Sequence, residues 1–152
     1  MCEKEKKSLA RLFLRTQTSM KFSTAARAIV CVLVLHAIFI LTHAYFLFPW
    51  LDILMHALGG FVMALLGLAI HHRVMSASHL KEIPVWYQWL FVIGFAMLIG
   101  VVWEFYEYVM DQTLAVWFSW PRAQVSLTDT MMDFLNDFIG ACVAFGLFFR
   151  KA

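Results

Sequence analysis

Charged residues are scarce in this sequence. Asp, Glu, Lys and Arg make up 14% of its 152 residues, whereas 62% are hydrophobic. Soluble domains carry about 25% charged residues, so an ordinary soluble domain is excluded. The three cysteines, Cys2, Cys31 and Cys142, form neither a disulfide framework nor a CxxC metal pattern. The sequence has no serine or cysteine in the pattern of a catalytic nucleophile, and no apparent cleavable signal. It also has no internal repeat and no low-complexity segment.

Four apolar stretches are long enough to cross a membrane, which takes about 20 residues. They predict an all-α integral membrane protein with spans at about 28–48, 51–70, 86–110 and 130–149. Residues 28–152 form the four-helix transmembrane domain, and residues 1–27 form a basic segment before it. Pro49 and Trp50 leave only a minimal turn between the first two spans, which are therefore expected to be antiparallel neighbours.

Basic residues are almost absent from one side of the predicted bundle. Eleven of the twelve Lys and Arg fall in residues 1–27, the middle loop or the C-terminus, and only Arg122 lies in another loop between spans. The positive-inside rule therefore predicts that both termini are cytoplasmic. Membrane lipids are the expected partners, and residues 1–27 are either a solvated tail or a segment that lies on anionic lipid. No nucleic-acid partner is expected, and the sequence leaves open whether the chain forms a homo-oligomer.

Seven of the ten acidic residues lie in or beside three of the spans, away from the basic side. Within each span they are three or four residues apart, so on a helix they share a face. Small residues continue each face, which predicts close helix packing. The faces consist of Asp52 and His56 above Gly59 and Gly60; Glu104, Glu107 and Asp111 above Gly100; and Asp129, Asp133 and Asp137 above Gly140, Ala141, Ala144 and Gly146.

Such a group of acids in a membrane is costly unless protons, salt bridges or cations compensate it. Salt bridges are nearly excluded, because only Arg122 and histidines are available as positively charged partners. Carboxylates and histidine on facing helices are typical ligands of divalent ions, here Mg, Mn, Ca or Zn. The predicted metal ligands are Asp52, His56, Glu104, Glu107, Asp111, Asp129, Asp133 and Asp137. A protonated or proton-relaying cluster and simple helix caps are the alternatives.

Two further histidines lie in the first predicted span. His43 is expected at the depth of the acids and is a candidate ligand, whereas His36 is expected to be structural.

Three functions fit these features. The first is an enzyme in which a metal ion activates water or clamps a phosphate of an envelope lipid or precursor, with Glu107 or His56 as the catalytic base. The second is a proton- or cation-coupled transporter or channel component, although the acids stop halfway across the membrane. The third is an envelope scaffold with a structural cation.

The motifs resemble those of known families of small bacterial membrane proteins. The VanZ-like pattern is matched by Asp52-x-x-x-His56, a glutamate on the third helix, and Asp133-x-x-x-Asp137-x-x-Gly140-Ala141. The YjdF-like proteins are more similar in His56-x-x-Gly59-Gly60 and Trp103-Glu104-x-x-Glu107-x-x-x-Asp111. The resemblance covers roughly residues 50–146. It implies a multi-pass protein of the bacterial inner membrane, and for VanZ a link to glycopeptide resistance at the cell envelope, without a mechanism. Asp137 departs from the pattern, which prefers Asn.

Overall fold

The computed structural model describes residues 20–75 and 82–149. In that part of the chain the defined elements are all helices, which confirms the predicted all-α class. Most of the predicted basic segment, together with Lys81, Arg150 and Lys151, lies outside the described residues. The helices are α1 Phe22–Leu41, α2 Ala44–Leu47, α3 Trp50–Val74, α4 Val85–Gln112, α5 Leu114–Phe118 and α6 Leu127–Phe148.

Four of these helices, α1, α3, α4 and α6, are long and apolar enough to cross a membrane. Their number is as predicted, but the first differs in its bounds. It begins at Phe22 and ends at Leu41, before the expected turn. His43 then adopts a left-handed conformation with φ 57°, and the chain forms the short α2 before Pro49. The connection therefore runs from Thr42 to Pro49 and is more than a minimal turn.

The α3 helix is the central element, because it packs against α1, α4 and α6 and most extensively against α6. Two glycines permit this contact. A Cβ on Gly60 would overlap the backbone carbonyl of Asp137, and a Cβ on Gly140 would overlap that of Ala57. Small residues let helix backbones approach closely where lipid surrounds the bundle. Gly146 has nothing within 4 Å of the position of a Cβ, so it lies outside the packing face on which it was predicted.

The bundle has two unlike halves. We call the end at which α3 and α6 begin, and at which α2 and α5 lie, the cap end. Towards the other end the interior is apolar and includes Ala64, Leu68, Val92, Ala96 and Ala144. The buried acidic side chains are all in the half nearer the cap end. The packing of α3, α4 and α6 thus determines where the acids meet.

Candidate metal centre

Six acidic side chains from three helices surround one histidine. We call these seven residues the acid–histidine cluster. Each helix presents its members on one face, since they are three or four residues apart. The close approach of α3 and α6 at Gly60 and Gly140 brings these faces together. The members are Asp52 and His56 of α3, Glu104 and Glu107 of α4, and Asp129, Asp133 and Asp137 of α6.

The imidazole of His56 occupies the middle of the cluster. Its Nε2 atom is nearly equidistant from one oxygen of each of four carboxylates: 3.9 Å from Asp52, 3.9 Å from Glu104, 4.0 Å from Glu107 and 3.8 Å from Asp133. These separations exceed the 2.7–3.2 Å typical of hydrogen bonds. The nitrogen and the four oxygens therefore face a common space and do not bind one another directly.

Three buried polar atoms of the cluster have no hydrogen-bond partner among the described residues. Nε2 of His56 and Oε1 of Glu104 belong to the side of the ring that faces this space, and Oδ2 of Asp137 lies beside the other ring nitrogen of His56. His56 and Glu104 are each only 4% exposed. Burial of a polar atom without a partner costs about 1–3 kcal/mol, and more for a charged group. Such atoms are rare in folded proteins, so three of them at one point call for an explanation.

The cluster offers metal ligands in three overlapping sets. In each set, one ligand atom per residue lies within 4.8 Å of the others. That spacing is compatible with a shared ion, because metal–ligand bonds to histidine nitrogen and carboxylate oxygen are about 2.0–2.6 Å long. The sets are Asp52, His56 and Glu107; His56, Glu104 and Asp133; and Asp52, Asp129 and Asp133.

Asp137 lies on the opposite side of the imidazole from the other acids. Its Oδ2 atom is 3.6 Å from Nδ1 of His56. Two glycines make room for its carboxylate, because a Cβ on Gly100 would overlap Oδ2 and one on Gly59 would lie 3.6 Å from Oδ1. Carboxylates commonly orient metal-binding histidines through the second ring nitrogen. The position of Asp137 suits that role, and its predicted role as a direct ligand stays a prediction.

Two residues outside the predicted ligand list support the acids of α4. The indole N–H of Trp103 donates to Oε1 of Glu107 at 2.8 Å. The side-chain amide of Gln124 donates to Oε2 of Glu104 at 2.8 Å and to its backbone carbonyl at 3.0 Å. Trp103 lies one helical turn before Glu107, a spacing from which the contact could have been found. Gln124 is distant in sequence, and no local pattern indicates it.

Asp111 lies apart from the cluster although the sequence predicts it as a ligand. Its Oδ1 atom accepts the backbone N–H of Ala123 at 2.8 Å, and its Oδ2 atom accepts that of Gln124 at 3.0 Å. It thereby ties the loop before α6 to the end of α4. Its ligand role stays a prediction.

The two histidines of the first predicted span have different surroundings. His36 is half-buried. Its Nδ1 atom is 2.7 Å from the hydroxyl of Tyr45, and its ring meets that of Trp103 edge-on. Burial, and then the nearby carboxylate of Asp52, raise the pKa of Tyr45, so its hydroxyl keeps its proton. His36 is thus linked through Trp103 to Glu107.

His43 is exposed and contributes to none of the three ligand sets found among the described residues.

A cavity of about 430 Å³ adjoins the cluster at the cap end. This volume lies within the range of about 300–1,000 Å³ that is usual for small-molecule sites. Three members of the cluster, Asp52, Glu107 and Asp129, contribute to its wall. Arg122 also lines the cavity; it is exposed and forms no ion pair with another described residue. Most of the remaining wall is apolar and includes Phe39, Phe46, Met110, Leu114 and Trp120.

Residues 8–152 match the family described as "Predicted membrane protein (DUF2238)". No curated protein and no solved structure matches the chain. The family match supports a small membrane protein in general and does not extend to the VanZ-like or YjdF-like resemblance. Since the match covers nearly the whole sequence, and four described helices can span a membrane, the chain belongs to the DUF2238 family of predicted membrane proteins.

Proposed function

We propose that this protein binds a divalent metal ion in the acid–histidine cluster, on the outer side of the bacterial inner membrane. One observation carries the proposal. The buried Nε2 atom of His56 has no hydrogen bond and lies 3.8–4.0 Å from four carboxylate oxygens of three helices. A cation between these atoms would satisfy all of them at once, with bonds of about 2.0–2.6 Å.

The same distances favour an ion over shared protons. Carboxyl and imidazole groups that share protons form short hydrogen bonds of about 2.5–3.0 Å. In the described part of the chain, no hydrogen bond joins Nε2 of His56 to any of the four carboxylates that face it. The oxygen-rich set with one histidine suits Mn or Zn, and Mg or Ca through its carboxylates.

The cavity beside the cluster supports a ligand that is partly apolar. A bound divalent cation would polarise a water molecule or the phosphate of a lipid headgroup. Three carboxylates of the cluster line the cavity, those of Asp52, Glu107 and Asp129. Of these, Glu107 is the proposed base. In this proposal His56 is a ligand of the ion. An outer-leaflet lipid or another envelope precursor would enter with its apolar part against α1, α2 and α5.

The packing of the bundle gives less support to the alternative function, a transporter. Beneath the cluster the interior consists of Ala64, Leu68, Val92, Ala96 and Ala144, with no polar side chain among them. Among the described residues, polar side chains are buried again towards the opposite end, at His71 and Gln88. A cation or proton leaving the cluster would meet an apolar layer in the described bundle, and desolvation there is costly.

The test is metal analysis of the detergent-purified full chain after dialysis against Mn²⁺, Zn²⁺, Ca²⁺ or Mg²⁺. We expect stoichiometric binding of at least one of these ions, and its loss or strong weakening in Glu104→Gln and Asp133→Asn, since both side chains face Nε2 of His56. Glu82→Gln is the matched control, because Glu82 is an exposed acid at the opposite end. If folded wild-type protein bound none of the four ions, or if Glu104→Gln and Asp133→Asn both bound like wild type, the proposal would be wrong.

A further inference from the structure

On the basis of the proposed function, we infer that the cluster is a dinuclear metal centre in which Asp133 bridges two divalent cations. The inner ion is held by His56, Glu104 and Asp133, and the outer ion by Asp52, Asp129 and Asp133. In each set the ligand atoms lie within 4.8 Å of one another, and the two sets share only Asp133. Metal ions in two-metal sites lie about 3.5–4 Å apart, a separation that one bridging carboxylate can span.

The environment of Asp133 is what a bridging ligand requires. Its side chain is 5% exposed and accepts no hydrogen bond from any described residue. The nearest basic atom is Nε2 of His56, 3.8 Å from Oδ1, too far for a hydrogen bond. An ionised carboxylate has about four acceptor sites, and its burial is costly without partners. One ion on each oxygen would give both oxygens a partner.

The charge of the cluster also favours more than one cation. Six carboxylates surround a single histidine, and no lysine or arginine among the described residues lies within 4.0 Å of them. One divalent ion would offset two of these negative charges and leave the rest to repel one another in a poorly solvated space. A second ion would offset two more.

One ligand of the outer set, Asp129, is held in position independently of any ion. Asp129 lies in the first turn of α6, and its backbone N–H donates to Oγ of Ser126, the residue that caps this helix, at 3.1 Å. One of its carboxylate oxygens, Oδ2, accepts the N–H of Val125 at 3.2 Å, and Oδ1 is left for a ligand. Asp129 belongs only to the outer set and Glu104 only to the inner set. The two sites can therefore be impaired separately.

The experiment counts Mn²⁺ ions per chain in the detergent-purified full-length protein and records their electron paramagnetic resonance spectrum. We expect two ions in wild type, with the exchange-coupled spectrum of neighbouring Mn²⁺ ions. Asp129→Asn should retain one ion, with the spectrum of an isolated centre; an asparagine oxygen can still accept the N–H of Val125, so the helix start is preserved. Glu82→Gln is the control, because Glu82 is an exposed acid at the opposite end of the bundle, and it should keep two coupled ions.

The outcomes separate this inference from the proposed function. One uncoupled Mn²⁺ per chain in wild type would overturn the dinuclear centre and leave a mononuclear site intact. Two coupled ions in Asp129→Asn would overturn the assignment of the outer set. A wild-type chain that binds no Mn²⁺, Zn²⁺, Ca²⁺ or Mg²⁺ would overturn the proposed function, and the dinuclear centre with it.

Discussion

Replacing Gly140 by alanine should force α3 and α6 apart. A Cβ at this position would overlap the carbonyl oxygen of Ala57, and it would lie 2.8 Å from the carbonyl carbon, whereas ordinary contacts begin at 3.4 Å. Because the obstacle is backbone, no side chain can rotate to relieve it. The matched control is Gly146→Ala on the same helix, where a Cβ has nothing within 4 Å. Both substitutions remove a helical glycine, so their propensity gain of about 0.5–1 kcal/mol cancels in the comparison.

The difference between the two variants therefore reports the clash alone. Overpacking of this kind costs about 1–3 kcal/mol. For a chain of this size each kcal/mol lowers Tm by about 2–4 °C, so Gly140→Ala should melt roughly 2–12 °C below Gly146→Ala. Thermal unfolding in a mild detergent, followed by tryptophan fluorescence, measures this difference. Equal Tm values for the two variants would refute the backbone contact between α3 and α6.

The remaining predictions concern residues around the cluster. Trp103→Phe removes the indole donor from Glu107, which lies 4.0 Å from Nε2 of His56, and should weaken metal binding about 10-fold or more, as loss of a hydrogen bond that orients a metal site commonly does. Trp117→Phe is its control because Trp117 is 74% exposed, and equal affinities for Mn²⁺ in the two variants would contradict the role given to Trp103. Asp111→Asn replaces one of two acceptors by an N–H donor, which should cost about 1–3 kcal/mol and raise amide hydrogen exchange at Ala123 and Gln124 while leaving metal content unchanged. Loss of metal without faster exchange would show instead that Asp111 is a ligand, as the sequence alone predicts.

Local patterns predicted a large part of this fold. Hydropathy indicated four spans, since about 20 consecutive apolar residues are needed to cross a membrane, and four such helices are present. The same patterns failed at the end of the first span. Residues 42–48 are apolar enough to continue a helix, yet His43 has a positive φ and ends it. Hydropathy carries no information on where a backbone leaves helical geometry. Residues other than glycine rarely adopt a positive φ, so the sequence does not indicate that His43 does.

The helical period also predicted which acids share a face. Asp52 and His56 share a face of α3, and Asp129, Asp133 and Asp137 share one of α6, because a spacing of four residues returns to the same side of a helix. The period could not show that Gln124 would bind Glu104 or that both oxygens of Asp111 would bind the loop. These partners are more than ten residues apart in sequence, and helical spacing relates only near neighbours.

The sequence by itself thus determined that four helices are long and apolar enough to cross a membrane and that three of them carry acids on one face. Only the tertiary structure decided which atoms meet. It places Nε2 of His56 towards Asp52, Glu104, Glu107 and Asp133, and Nδ1 towards Asp137. The physical reason is that hydropathy and helical period are properties of neighbouring residues. The rotation and depth of each helix are fixed by contacts between distant ones, here Gly60 and Gly140 against the facing backbone.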